Sequence, residues 1–190
     1  MLKALNNSKS KALLYSTFTL YMVILVWIVI FKVNYHWVTE IRHYYNGLTI
    51  AERLGKSMIP GYTIIKAYRT AGIAGLDQHF LNVLAFLPLG ILLPFFINKK
   101  PYLFTTVAIV SLTLFFELEQ LFSGIGSYDS SDLLTNTLGG IIGMLLYKVL
   151  FQKLSDRDLN YTSLVINIIA TPIAVYAIVN TILHFDLYLL

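Results

Sequence analysis

The sequence predicts an all-α, polytopic membrane helix bundle with about five transmembrane helices and an amphipathic interfacial segment after the first. Three observations predict it. Hydrophobic residues make up 57% of the 190 residues and charged residues only 13%, where a soluble domain carries roughly 25% charged residues. The apolar residues fall in long blocks. Five of those blocks each come close to the roughly 20 residues that a helix needs to cross hydrocarbon.

The first block, 12–31, follows Lys3, Lys9 and Lys11. It is long for the core of a signal peptide and no small-residue cleavage site follows it, so it reads as an uncleaved first span. The connection 32–77 is more than linker. In "VTEIRHYYNGLTIAERLGKSM" the positions Ile41, Tyr44, Leu48, Ala51, Leu54 and Met58 recur every three to four residues. That spacing predicts a basic amphipathic helix in the membrane interface, weakened by Gly47. Pro60-Gly61 predicts a turn, and "YTIIKAYR" a second amphipathic stretch. Tyr35 and Trp37 stand where an aromatic belt anchors the first span. The connection reads either as an ordered loop packed over the bundle or as a functional lid.

The second span, 78–97, opens near Asp77, His79 and Asn82 and carries Pro88, Gly90 and Pro94, which kink it. His79 alone reads as an interfacial anchor more readily than as a ligand. The third span is 102–122, the fourth 132–151 and the fifth 161–183. The organisation expected is 1–31 for the N-terminal tail and first span, 32–77 for an extracytoplasmic connection, 78–151 for a core of three spans, and 152–190 for a cytoplasmic turn and the last span.

Charge sets the expected orientation. Lys3, Lys9 and Lys11 place the N-terminus in the cytoplasm. Lys99 and Lys100, then Lys148, Lys153 and Arg157, fall in cytoplasmic turns. The loop 123–131 has no Lys or Arg and suits the outside. The 32–77 connection goes against the rule, with Lys32, Arg42, Arg53, Lys56, Lys66 and Arg69 against Glu40, Glu52 and Asp77. The net charge of +4 is spread along the chain, with no basic block for nucleic acid; the positives suit membrane topology and anionic headgroups. The chain has no cysteine. Disulfides, thiolate nucleophiles, iron–sulfur clusters and cysteine-based zinc sites are excluded.

One stretch breaks the apolar pattern: "FFELEQLFSGIGSYDSSDLLTNTLGG", residues 115–140. Glu117 and Gln120 share a helix face, with Thr113 one turn earlier. Glu117 lies on the order of 7 Å inside the span end, where a lone carboxylate is expensive. Glu119 points roughly the other way and suits lipid headgroups. Asp129, Asp132 and Asn136 share a face of the next span, continued by Gly139 and Gly143, a small-xxx-small pattern for close helix approach. Either Asp129 or Asp132 caps that helix, but capping does not explain Asn136, a full turn deeper. Asn82, Glu117, Gln120, Asp129, Asp132 and Asn136 together predict one polar pocket at the outer leaflet, with Gly124 and Gly126 at its lip.

"NVLAFLPLG" followed by "ELEQLFSGIGSYDSSDLLTNTLGGIIG" resembles the VanZ-like family of bacterial membrane proteins. The resemblance rests on Asn82, Phe86, Pro88 and Gly90, then Glu117 and Gln120, then Asp129, Asp132, Asn136 and Gly139. "MIPGYTI" at 58–64 is a weaker match. It covers roughly residues 58–147. One position departs: Gly126 stands where members often carry Arg, and Arg53 or Arg69 is the candidate substitute. The resemblance implies the cell envelope and low-level resistance to teicoplanin and related lipoglycopeptides. It implies no particular reaction.

Three functional readings follow. The preferred one is non-catalytic: a multi-pass cell-membrane protein whose pocket binds, or modulates access to, a lipid-linked cell-wall precursor or a lipoglycopeptide. Its partners are membrane lipids and that component, with no nucleic acid, metal or cofactor. The alternative is a membrane enzyme on a lipid-linked precursor. There Glu117 and Asp132 are the catalytic candidates, as general acid or base or, with Asp129, as Mg²⁺ ligands. A transporter ranks last, because five spans without an internal repeat make a poor pathway.

Overall fold

The computed structural model describes residues 8–30, 43–44, 47–124 and 126–183. Tyr35, Trp37 and Ile41 lie outside them. Among the described residues every regular element is helical. The principal helices are α1 (Ser8–Val29), α2 (Ile50–Leu54), α3 (Tyr62–Ala71), α4 (Asp77–Leu92), α5 (Pro101–Ser123), α6 (Ser130–Leu146) and α7 (Asp156–Leu183). Short 3₁₀ turns follow α2, α3 and α4, and a π turn, Tyr147–Phe151, follows α6. The chain divides into two compact units, 1–39 with 147–190 and 40–146.

The first unit pairs α1 with α7. Asn167 Nδ2 donates to the Leu13 carbonyl at 3.5 Å, and Trp27 packs edge-on against Tyr176 with ring centroids 5.7 Å apart. Residue numbers rise together along both helices, so the two run parallel. Ala174 and Ala177 are buried on this seam side of α7, where small residues let backbones approach. The start of α7 has a chemical cause. The Asp158 N–H donates to Ser155 Oγ at 3.2 Å and the hydroxyl donates back to Asp158 Oδ2 at 2.5 Å. This caps the helix five residues earlier than the apolar block suggested.

The second unit holds α2 to α6. Its centre is the seam between α4 and α6. A Cβ on Gly139 would overlap the Val83 carbonyl, one on Gly143 the Leu87 carbonyl, and one on Gly90 the Gly140 carbonyl. Only glycine permits that approach. Gly139 and Gly143 therefore serve packing within the bundle. The pairing 139 with 83 and 143 with 87 also makes α4 and α6 parallel, as two spans separated by one return span must be. On the other side, Gly140 packs against the Ile109 side chain of α5.

One expectation about the connection changes. One amphipathic helix over 38–58 does not form within the described residues. Residues 47–49 are irregular, and Thr49 starts a new helix with Glu52 in a capping box. Ala51 and Met58 are exposed, so the expected stripe is not one buried face. The Pro60-Gly61 turn does form, with the Tyr62 N–H donating to the Ile59 carbonyl at 3.0 Å. By length and hydropathy, Tyr62–Phe95 scores as a single 34-residue span. That rod would be about 50 Å long, far beyond a hydrocarbon core of about 30 Å. It is two helices. Gly72 breaks the run at φ +61°, and the chain doubles back until Gly75 lies against the Ala67 carbonyl. Among the described residues five helical stretches are long and apolar enough to cross a membrane, the second of them Tyr62–Phe95, in which α4 and its 3₁₀ extension to Phe95 follow α3, and the chain is a polytopic helical membrane protein.

Candidate functional site

The α5–α6 hairpin is built around one carboxylate. Glu117 is 3% exposed, and its Oε2 accepts the Asp129 N–H at 2.7 Å. The stripe read from the sequence is inside: Thr113, Glu117 and Gln120 are all buried. Glu117 thus supplies the acceptor for a backbone donor at the hairpin return. Glu119 is half-buried with Oε2 enclosed, which is more burial than an acid pointing to headgroups should show.

Asp129 is the helix cap. Its Oδ1 accepts the Ser131 N–H at 2.8 Å, and its carbonyl accepts from Asp132 and Leu133. This explains why α6 begins at Ser130 rather than at 132. The same Oδ1 accepts the Thr63 hydroxyl of α3 at 3.1 Å. Asp132 is therefore released from capping. It is 9% exposed, and Oδ1 lies 3.7 Å from Nδ1 of His79, itself 8% exposed on α4. His79 is buried against a carboxylate and is not an interfacial anchor.

The connection forms a strap across the hairpin. The Ser57 hydroxyl donates to the Tyr128 carbonyl at 2.5 Å, and the Ser130 hydroxyl donates to the Ser57 carbonyl at 2.7 Å. Arg53, half-buried, donates from Nη1 to the Leu121 carbonyl at 3.1 Å. That places a guanidinium at the C-terminus of α5, the favourable end of the helix dipole. The helix ends at Gly124, φ +75°, where an added Cβ would stand 3.1 Å from Arg53 Nη1. Of the two arginines expected to stand in at Gly126, Arg53 reaches the hairpin, while Arg69 is exposed on α3. Gly126 itself lies over Gln120: a Cβ there would stand 3.1 Å from Gln120 Oε1.

Asn136 is 4% exposed, and Oδ1 accepts no hydrogen bond from the protein. It lies three residues before Gly139 on the stripe that faces α4. Asn82, half-buried, lies one residue before Val83, the residue against which Gly139 packs, and its Nδ2 has no partner. The helix register therefore brings both amides to the same seam, one turn below His79 and Asp132. Phe86 and Phe116, both fully buried, close the space with an edge-on contact of 6.4 Å between centroids.

All six residues read from the sequence stand at the same end of α4, α5 and α6. Sequence reasoning undervalued His79, although its three-residue spacing from Asn82 was visible. It missed Ser57 and Thr63, which carry no periodic signal. Chemically the site offers carboxylates, an imidazole and amides in a confined space. Glu117 and Asp129 each commit an oxygen to a backbone N–H. Among the described residues, no three His, Asp or Glu side chains converge to hold a metal.

The family model described as VanZ/LLP1 matches residues 18–152, a range that contains α2 to α6 and every residue of the site. A curated relative, Protein VanZ of Enterococcus faecium, is 26% identical over 150 residues, covering 79% of this chain and 83% of the relative. No solved structure matches the chain.

Proposed function

The chain belongs to the VanZ/LLP1 family, and from that premise we propose that it contributes to low-level resistance to teicoplanin-type lipoglycopeptides. It does so through a polar pocket at the outer leaflet that binds, or limits access to, a lipid-linked envelope component. One observation carries the reading: Glu117, Asp132 and Asn136 are all buried, at one end of α5 and α6. Ionisable groups inside a span cost free energy and persist where function needs them. The lysines flanking the other ends of these spans, Lys99 and Lys100 after α4 and Lys148 and Lys153 after α6, support the outer placement.

Replacing Glu117 by Ala tests it. The expected outcome is loss of resistance in cells, with membrane insertion and protein level unchanged. Equal loss of protein and of resistance would reduce Glu117 to hairpin closure alone.

The Asp132–His79 pair supports a second reading, a membrane enzyme acting on a lipid-linked precursor. An imidazole beside a carboxylate is an arrangement for general acid–base work. Turnover of such a lipid by the purified protein, insensitive to chelators, separates this reading from the first.

A further inference from the structure

Helix α3 carries a surface that the hairpin site does not use. Its inner face is accounted for. The Thr63 hydroxyl donates to Asp129 Oδ1 at 3.1 Å, and Gly75 lies against the Ala67 carbonyl. Thr63, Ile64 and Ala67 are half-buried, whereas Ile65, Lys66, Tyr68, Arg69 and Thr70 are exposed. At about 100° per residue these five stand around the helix in the order Tyr68, Ile65, Arg69, Lys66, Thr70. One edge of the outer face is therefore apolar, with Ile65 53% and Tyr68 57% exposed, and the other is cationic. The helix contains no acid. Neither Lys66 nor Arg69 has an ion-pair partner among the described residues.

A second observation concerns where this face stands. Only the 3₁₀ turn Gly72–Leu76 separates α3 from the second span, α4. Gly72 turns the chain at φ +61°, and the contact of Gly75 with Ala67 folds α3 back against the start of α4. A helix held at the end of a span lies at the boundary between hydrocarbon and headgroups. Ile73, in the turn itself, is 81% exposed. A face that met only water would need its cations but not this apolar edge. A helix lying in the interface needs both.

We propose that α3 docks on the membrane through this face, with Lys66 and Arg69 holding the phosphates of anionic phospholipid headgroups. Ile65, Tyr68 and Ile73 enter the acyl boundary beside them. Arg69 offers a fork of donors that fits phosphate oxygens, and Lys66 a compact point charge. A zwitterionic headgroup presents the same phosphate but brings its own cation, which repels both residues. The occupant is therefore an anionic lipid. This surface shares no residue with the polar end of α4, α5 and α6. It also gives a physical reason for cations on a connection that runs against the charge rule for topology.

The chain has no cysteine, so Thr70→Cys, at the cationic edge, carries one environment-sensitive fluorophore on the full chain. The labelled protein is placed in phosphatidylcholine nanodiscs with a rising share of phosphatidylglycerol. Emission should shift to the blue as phosphatidylglycerol rises, and high salt should weaken the shift. Lys66→Gln and Arg69→Gln should each weaken the apparent affinity for phosphatidylglycerol about fivefold, the scale of one cation near an anionic surface. The double substitution should abolish the shift. Exchanging the two cations, Lys66→Arg with Arg69→Lys, should keep it. Lys99→Gln with Lys100→Gln, at another turn of the chain, should leave it unchanged. Emission indifferent to lipid composition overturns the proposal. So does a full shift in the double glutamine variant, or loss of the shift in the exchanged pair. The same shift produced in phosphatidylcholine discs by inorganic phosphate would assign the cations to a free anion and overturn the headgroup reading.

Discussion

Asp129 and Asp132 are three residues apart on one helix face, yet they do different work. Asp129 caps α6 through the Ser131 N–H, and Asp132 faces His79 inside the bundle. Their substitutions should therefore separate. Asn caps a helix about as well as Asp, so Asp129→Asn should leave the thermal midpoint nearly unchanged, whereas Asp129→Ala should cost about 0.5–2 kcal/mol. Asp132→Asn should preserve the midpoint and abolish resistance, because charge and not capping is removed. A thermal melt in detergent and a susceptibility assay read both. The sequence left the capping residue open since both acids have the right chemistry. The choice was made by where the backbone turns, and that is set by Glu117 taking the Asp129 N–H.

At the scale of elements, the glycine seam and the strap differ in how they are held. Gly139 allows α6 to touch the Val83 backbone. Gly139→Leu must push α4 away, and overpacking of this kind costs about 1–3 kcal/mol; the expected result is a lower melting midpoint with insertion intact. The strap is held by polar bonds at its surface. In α2 the Thr49 N–H, first, and then the Thr49 hydroxyl bond the Glu52 carboxylate and hold its pKa below the ordinary value of 4.5. A carboxyl depressed on folding contributes stability above its unfolded pKa and loses it as pH falls through the folded value. Amide exchange in α2 should thus be steady from neutral pH down to about 5, after correction for intrinsic rates, and rise below about 4.5. Thr49→Ala should remove that pH dependence. Of these elements, the spans were legible because apolar blocks have a length. The break between α3 and α4 was legible too: the second span was read from residue 78, after a separate amphipathic stretch, and the helix begins at Asp77.

For the whole molecule, the strap bears on the polar end through three side chains. Ser57, Thr63 and Ser130 tie its described part to the hairpin. The chain has no cysteine, which makes Ser127→Cys a single reporter thiol. In intact cells it should react with a membrane-impermeant maleimide, and react faster when Ser57→Ala and Thr63→Val cut the strap. Reaction only after permeabilisation would invert the orientation and remove the basis for an antibiotic-facing pocket. By itself, the sequence determined the helical membrane class, the number of spans, the seam glycines and the six residues at one end, because hydropathy and helical period are local properties of a chain. The tertiary structure alone decided that Asp129 caps, that His79 meets Asp132, that Arg53 reaches the end of α5, and that the connection is a strap. Each of those is a meeting of residues from separate elements. It is fixed by which backbone donors and carbonyls must be satisfied where the helices end, and no periodicity along the chain encodes it.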